Sequence, residues 1–113
     1  MKSDNQLVDE ILQKHGLAVQ YLDPKSLVPS EHDTWEKAAQ TLEIDVTFPV
    51  HTLPVGAEER NGEIEVQDGH HRTTSAILRG DKLIAVFVLP KSWDYQRQSA
   101  LWDDYNYRWE RFS

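Results

Sequence analysis

The stretch from Glu63 to Gly80, Glu-Ile-Glu-Val-Gln-Asp-Gly-His-His-Arg-Thr-Thr-Ser-Ala-Ile-Leu-Arg-Gly, constrains this chain more than any other. Ile64 and Val66 alternate with Glu63, Glu65 and Gln67, the period of a strand with one buried face. Asp68-Gly69 breaks that period, because glycine reaches backbone angles closed to other residues. From His70 the pattern turns helical, with Ala76 and Ile77 on one face and Gly80 placed to end the helix. A strand, a tight glycine turn and a helix start aim several unpaired backbone N–H groups at one spot, which favours an anion. His71 and Arg72 add side-chain donors and Asp68 adds a carboxylate. The expected site is a phosphate-binding turn with an acidic group beside it. The plainer alternative is an Asx-type turn in which Asp68 caps the helix.

Around this unit the chain reads as alternating helices and strands. Ser3 and Gln6 have capping-box spacing ahead of Leu7, Val8, Ile11 and Leu12, so a first helix is expected over residues 4–15, with Gly16 as its stop. Leu17, Val19 and Tyr21 alternate as a first strand, and Asp23-Pro24 starts a turn or a single helical turn. Ser30 is placed to cap a second helix, with Glu31 in its first turn and Trp35, Ala38, Ala39 and Leu42 on one face. Ile44, Val46, Phe48 and Val50 alternate as a second strand, irregular or at an edge because of Pro49. Glu58 to Gly62 reads as a hairpin loop in which Asn61-Gly62 supplies positive backbone angles. Leu83 to Leu89 is nearly all apolar, as an interior strand would be. Trp102, Tyr105, Trp109 and Phe112 form an aromatic stripe on a last helix, about residues 93–112. The expected class is α+β, with a small mixed β-sheet, flanking helices and a C-terminal aromatic helix.

Composition narrows the function. A chain of 113 residues suits one domain and is long enough for a real core. Its net charge of −7, with no cluster of basic residues, repels nucleic-acid phosphates, so DNA or RNA is not an expected partner. There is no cysteine, which excludes disulfides, thiol catalysis and Cys-ligated metal. The beginning runs into an amphipathic stretch without a continuous apolar segment, and no run approaches the ~20 apolar residues of a membrane span. The expected location is therefore the cytoplasm, with no membrane partner.

Asp68-Gly69-His70-His71-Arg72, followed by a helix, Gly80 and the apolar strand Leu83 to Leu89, resembles the ParB/sulfiredoxin superfamily, and within it most of all the ParB-like free serine kinases. The likeness runs over roughly residues 19–90. It implies a single ParB/sulfiredoxin-like domain with its core at about 17–90. It also implies binding of ADP or ATP with Mg²⁺, and phosphoryl transfer to a small hydroxyl-bearing substrate. Gly69, His70, His71, Arg72 and Thr73 would contact the nucleotide phosphates, and Asp68 would hold Mg²⁺ through those phosphates as a catalytic residue. In the serine kinases a Glu two residues after a Pro deprotonates the substrate hydroxyl. Pro29-Ser30-Glu31 matches that pattern, so the resemblance makes Glu31 the base. On sequence grounds alone, an acidic residue early in a helix needs no more than the helix dipole, worth ~0.3–1 kcal/mol.

The departures from the family are informative. Sulfiredoxins use a Cys in a Gly-Cys-His-Arg turn, where this chain has His70, so that chemistry is excluded. Partition ParB proteins carry a Gly-Glu-Arg-Arg turn and a helical DNA-binding domain that this chain lacks. The serine kinases continue into a C-terminal region that helps hold the amino acid; no counterpart is expected within these 113 residues, which leaves the acceptor open. A transition metal between His70 and His71 is disfavoured, since neighbours on a helix point about 100° apart. Two further classes stay open: a non-catalytic nucleotide-binding module whose aromatic helix meets a protein partner or a second copy, and a DNA-binding or nuclease relative, which the charge disfavours. The aromatic stripe itself reads first as core or dimer contact, and second as a base-stacking platform.

Overall fold

The computed structural model describes residues 3–47 and 53–110, with side chains described up to Asn106. It is a compact mixed α+β arrangement. Four helices flank a five-stranded mixed sheet: α1 Asp4–Lys14, β1 Gln20–Leu22, β2 Val28–Pro29, α2 Trp35–Thr41, β3 Val55–Arg60, β4 Glu63–Asp68, α3 His70–Arg79, β5 Ile84–Leu89 and α4 Tyr95–Glu110. The strand order is β1-β5-β3-β4-β2. β3 and β4 form an antiparallel hairpin, β3 runs parallel to β5, and the two-residue β2 runs parallel to β4. Among the described residues no helix is long and apolar enough to cross a membrane.

Each face of the sheet carries its own core. On one, Phe87 and Leu89 meet Val8 and Leu12 of α1 and Trp93, Leu101 and Tyr105 from the region of α4. On the other, Val55, Ala57, Val66, Val86 and Val88 meet Leu27 and, partly buried, Trp35. Successive residues of a strand point to opposite faces, which is why Val86 and Phe87 serve different cores. α3 packs on the second face against α2 and the 3₁₀ turn Pro24–Ser26. α1 starts in the expected capping box, Ser3 with Gln6. At its other end, Lys14 and His15 reach Asp104 of α4 at 2.9 and 2.7 Å. These bonds, Lys14's first, hold the Asp104 carboxyl below its usual range.

Three expectations change. The segment Ile44–Thr47 is not a strand; it follows the end of α2, whose chain turns at Glu43 with a positive φ of 54°. Phe48 and Val50 lie outside the described residues. Glu58–Arg60 belong to β3, so the hairpin loop is only Asn61-Gly62, with φ of 52° and 79°. Positive φ at both central residues is the type I′ geometry that lets paired strands keep their twist through two residues. Finally, α2 begins at Trp35 with Thr34 as its cap, accepting from the Lys37 N–H, so Glu31 sits in a loop ahead of the helix. Ser30, four residues ahead of that cap, instead meets His70 through its amide and hydroxyl.

Candidate functional site

Strand β4 ends at Asp68 and helix α3 starts at His70, with Gly69 between them at φ 108°, ψ 29°. A Cβ at Gly69 would lie 3.0 Å from Val55 Cγ2 and 3.1 Å from Arg72 Nη2, so the turn closes only around glycine. Thr73 N–H already bonds the Gly69 carbonyl. The amides of His70, His71 and Arg72 precede that first intrahelical bond, at the N-terminus of a ten-residue helix. No side chain caps this end, which sets aside the reading of Asp68 as a helix cap.

Asp68 has a different task. Gly56 stands opposite Asp68 and Ala57 opposite Val66, so Gln67 is the extra residue of a β-bulge. Without it Asp68 would share the face of Val66. The one-residue shift turns it to the other face, where Phe87 and Trp102 close over Gly56. There the buried Tyr105 hydroxyl donates to Asp68 Oδ2 at 3.1 Å, and Arg72 Nη2 donates to the same oxygen at 3.1 Å. One carboxylate oxygen is thus fixed by two donors on a side chain that is still 46% exposed. Arg72 is itself turned inward, its Nη1 donating to the Leu53 and Pro54 carbonyls at 2.7 and 2.9 Å. It ties the start of β3 to the turn.

The remaining expected residues separate. His71 lies on the exposed side of the first helical turn. Thr73, expected among the phosphate contacts, is fully buried, and its hydroxyl donates back to the Gly69 carbonyl at 2.9 Å. With its amide on the same carbonyl, it has no donor left to offer. His70 reaches across to the loop after β2: its Nε2 lies 3.3 Å from the Ser30 amide, which donates to it, and 3.0 Å from the Ser30 hydroxyl. An accepted N–H bond makes Nε2 the unprotonated nitrogen. Burial, the largest influence, holds His70 below its ordinary pKa of 6.5. Glu31 and Asp68 pull it upward, and His32 and His71 push it further down. The His32 and Trp35 rings complete the rim, 6.2 and 6.1 Å from the His70 ring.

The parallel pairing of β2 with β4 explains this meeting. Pro29 is in register with Val66, so the two strands deliver Ser30-Glu31 and Asp68-Gly69 to the same end of the sheet. Glu31 is exposed there, and its charge is felt by His70. Sequence reading named Glu31 and the glycine turn as candidates and did not name the Ser30 and Tyr105 contacts beside them. The spacing of Tyr105 in an aromatic stripe gave its burial and no hint of its hydroxyl's partner. Among the described residues no group of three or more His, Asp or Glu side chains could hold a metal ion unaided. A Mg²⁺ ion held by one carboxylate and by substrate phosphates needs no such group, and the half-exposed carboxylate of Asp68 fits that mode. No protein-family model matches the chain, and no curated protein matches it in sequence.

Proposed function

We propose that this chain is a ParB/sulfiredoxin-like nucleotide-binding protein that transfers phosphate from ADP or ATP to a small hydroxyl compound, in the manner of the free serine kinases. The observation that carries the reading is the Ser30–His70 bridge. It joins two short motifs 40 residues apart in sequence at one end of the sheet. One brings a solvent-facing carboxylate, Glu31; the other brings the N-terminal amides of α3 beside Asp68.

In this reading the amides of His70, His71 and Arg72 receive the transferring phosphate's oxygens, aided by the helix dipole. His71 adds a donor from the exposed side. Arg72 acts chiefly by holding the turn and fixing Asp68. Glu31 accepts the proton of the acceptor hydroxyl as that oxygen bonds to phosphorus, and the nucleotide departs with the bridging oxygen's electrons. When bound, Mg²⁺ between Asp68 and the phosphates would neutralise charge on the transferring group. The rings of His32 and Trp35 at the rim suit stacking with a planar base.

Calorimetry with ADP, ATP and CTP, with and without Mg²⁺, tests the binding step. Glu31→Gln tests the chemistry: turnover with a panel of small alcohols, serine among them, should vanish while nucleotide affinity stays unchanged. Equal turnover in the variant rejects Glu31 as base, and no binding of any nucleotide rejects the whole reading.

A second reading has one observation of its own. Tyr105 of α4 touches Asp68, so the turn and the aromatic helix are mechanically joined. A nucleotide-responsive module would use that link to alter association with a protein partner or a second copy. Light scattering that changes on saturation with nucleotide, without turnover, would favour it.

A further inference from the structure

A separate cavity of about 170 Å³ opens between α3 and strands β3 and β5, walled by Val55, Ala76, Leu83 and Ile84. It lies away from the Glu31 side of the turn. His70 faces Ser30, whereas Arg72, two residues on and so about 200° around the helix, lines this cavity. One turn or so further along the same flank come Ser75, buried, and Arg79. An aliphatic cavity thus has two guanidinium groups set along one wall.

Charge and size together narrow the occupant. Each guanidinium carries five N–H donors. Arg79 directs one to the Ser75 hydroxyl at 3.0 Å and one to Asp81 at 2.8 Å. Arg72 directs three to Leu53, Pro54 and Asp68. Donors remain on both groups among the described residues. Each guanidinium has one carboxylate partner, Asp81 for Arg79 within the lining and Asp68 for Arg72 outside it, and their side chains are only 21% and 15% exposed. A guanidinium removed from water favours a planar carboxylate that it can grip with two parallel bonds. An apolar cavity of about 150 Å³ holds a benzene-sized body. We propose that this cavity binds a small organic carboxylate whose apolar part is about the size of one six-membered ring, with Arg79 as its principal anchor. Because Arg72 also holds Asp68, an occupant acts on the glycine turn from behind. The proposal does not depend on the nucleotide reading.

Benzoate serves as the probe and benzamide as its uncharged counterpart, in a nitrogen-edited NMR titration of the full chain. Benzoate should give saturable shifts confined to amides around Ser75–Arg79 and Leu83–Ala85, and benzamide should bind more weakly. Arg79→Gln should weaken benzoate about tenfold or more, the loss of hydrogen bonds to a charged group, with Arg79→Lys in between. Leu83→Trp, at a residue 59% exposed and so harmless to folding, should block the mouth and abolish binding. Shifts that never saturate, equal affinity for benzamide, or binding untouched by Arg79→Gln and Leu83→Trp would overturn the proposal.

Discussion

Strand β4 lies between two glycines with the same backbone demand and different surroundings. Gly62, before it, has φ 79°, and a Cβ there would meet nothing within 4 Å. Gly69, after it, has φ 108° and is hemmed in by Val55 and Arg72. The first is a hairpin turn in open solvent that asks only for a left-handed conformation. The second is a turn around which a helix start, a guanidinium, a bulged carboxylate and a histidine bridge have been assembled. A positive φ by itself marks a bend in the chain; a positive φ enclosed by charged groups marks a place where the structure gives up freedom for a purpose.

Substitutions at the two ends should reveal that asymmetry. Gly69→Ala should cost the most, about 3 kcal/mol, because a left-handed penalty of ~1–2 kcal/mol adds to crowding worth ~1–3 kcal/mol. A urea unfolding curve checks it, and a loss no larger than that of Gly62→Ala would erase the contrast. Arg72→Leu should lose about 2 kcal/mol, in the range of hydrogen bonds involving charged groups, since it strands the Leu53 and Pro54 carbonyls as well as Asp68. Gly62→Ala should lose only about 1 kcal/mol, from conformation alone. Tyr105→Phe should lose slightly less than that, because its acceptor is half exposed, while loosening Asp68 enough to weaken any Mg²⁺-dependent binding.

The smallest effect concerns pH. Burial keeps His70 below its ordinary 6.5 in the folded chain, against the pull of Glu31 and Asp68. Between those two values the unfolded chain binds more protons, so stability rises with pH. It should be fully present above 6.5 and decline as pH falls below it toward the folded value. The difference in urea midpoint between neutral and mildly acidic pH should shrink in His70→Gln; an unchanged difference would assign the decline to other groups.

Much of the fold was legible because its signals are local. The capping box of Ser3 and Gln6, the left-handed stop at Gly80 and the apolar run of β5 each depend on near neighbours. The extent of the hairpin was misread because Glu58 and Arg60 look like loop residues, yet Glu58 is buried, held by Arg60 and by the Trp102 indole N–H at 3.2 Å. Polar strand residues with distant partners leave no trace in the pattern. The candidate turn was legible for the same local reason as the caps. Its supports were not: the bulge at Gln67 needs the register of β3, and the Ser30–His70 contact needs β2 to pair with β4.

The clasp between α1 and α4 has a consequence for how this chain comes into being. Lys14 and Asp104 are 90 residues apart, and β1 pairs with β5 at the edge of the sheet. The contacts that dock α1 and β1 are therefore closures between distant parts of the chain. Val8 and Leu12, fully covered in the finished structure, share their cluster with Phe87, Leu89, Leu101 and Tyr105, which lie some 75 or more residues further on. Such distant closures slow folding and leave apolar surface uncovered meanwhile. Until those closures form, the apolar face of α1 that carries Val8 and Leu12 stays uncovered, and it is a surface on which an incompletely folded chain can aggregate.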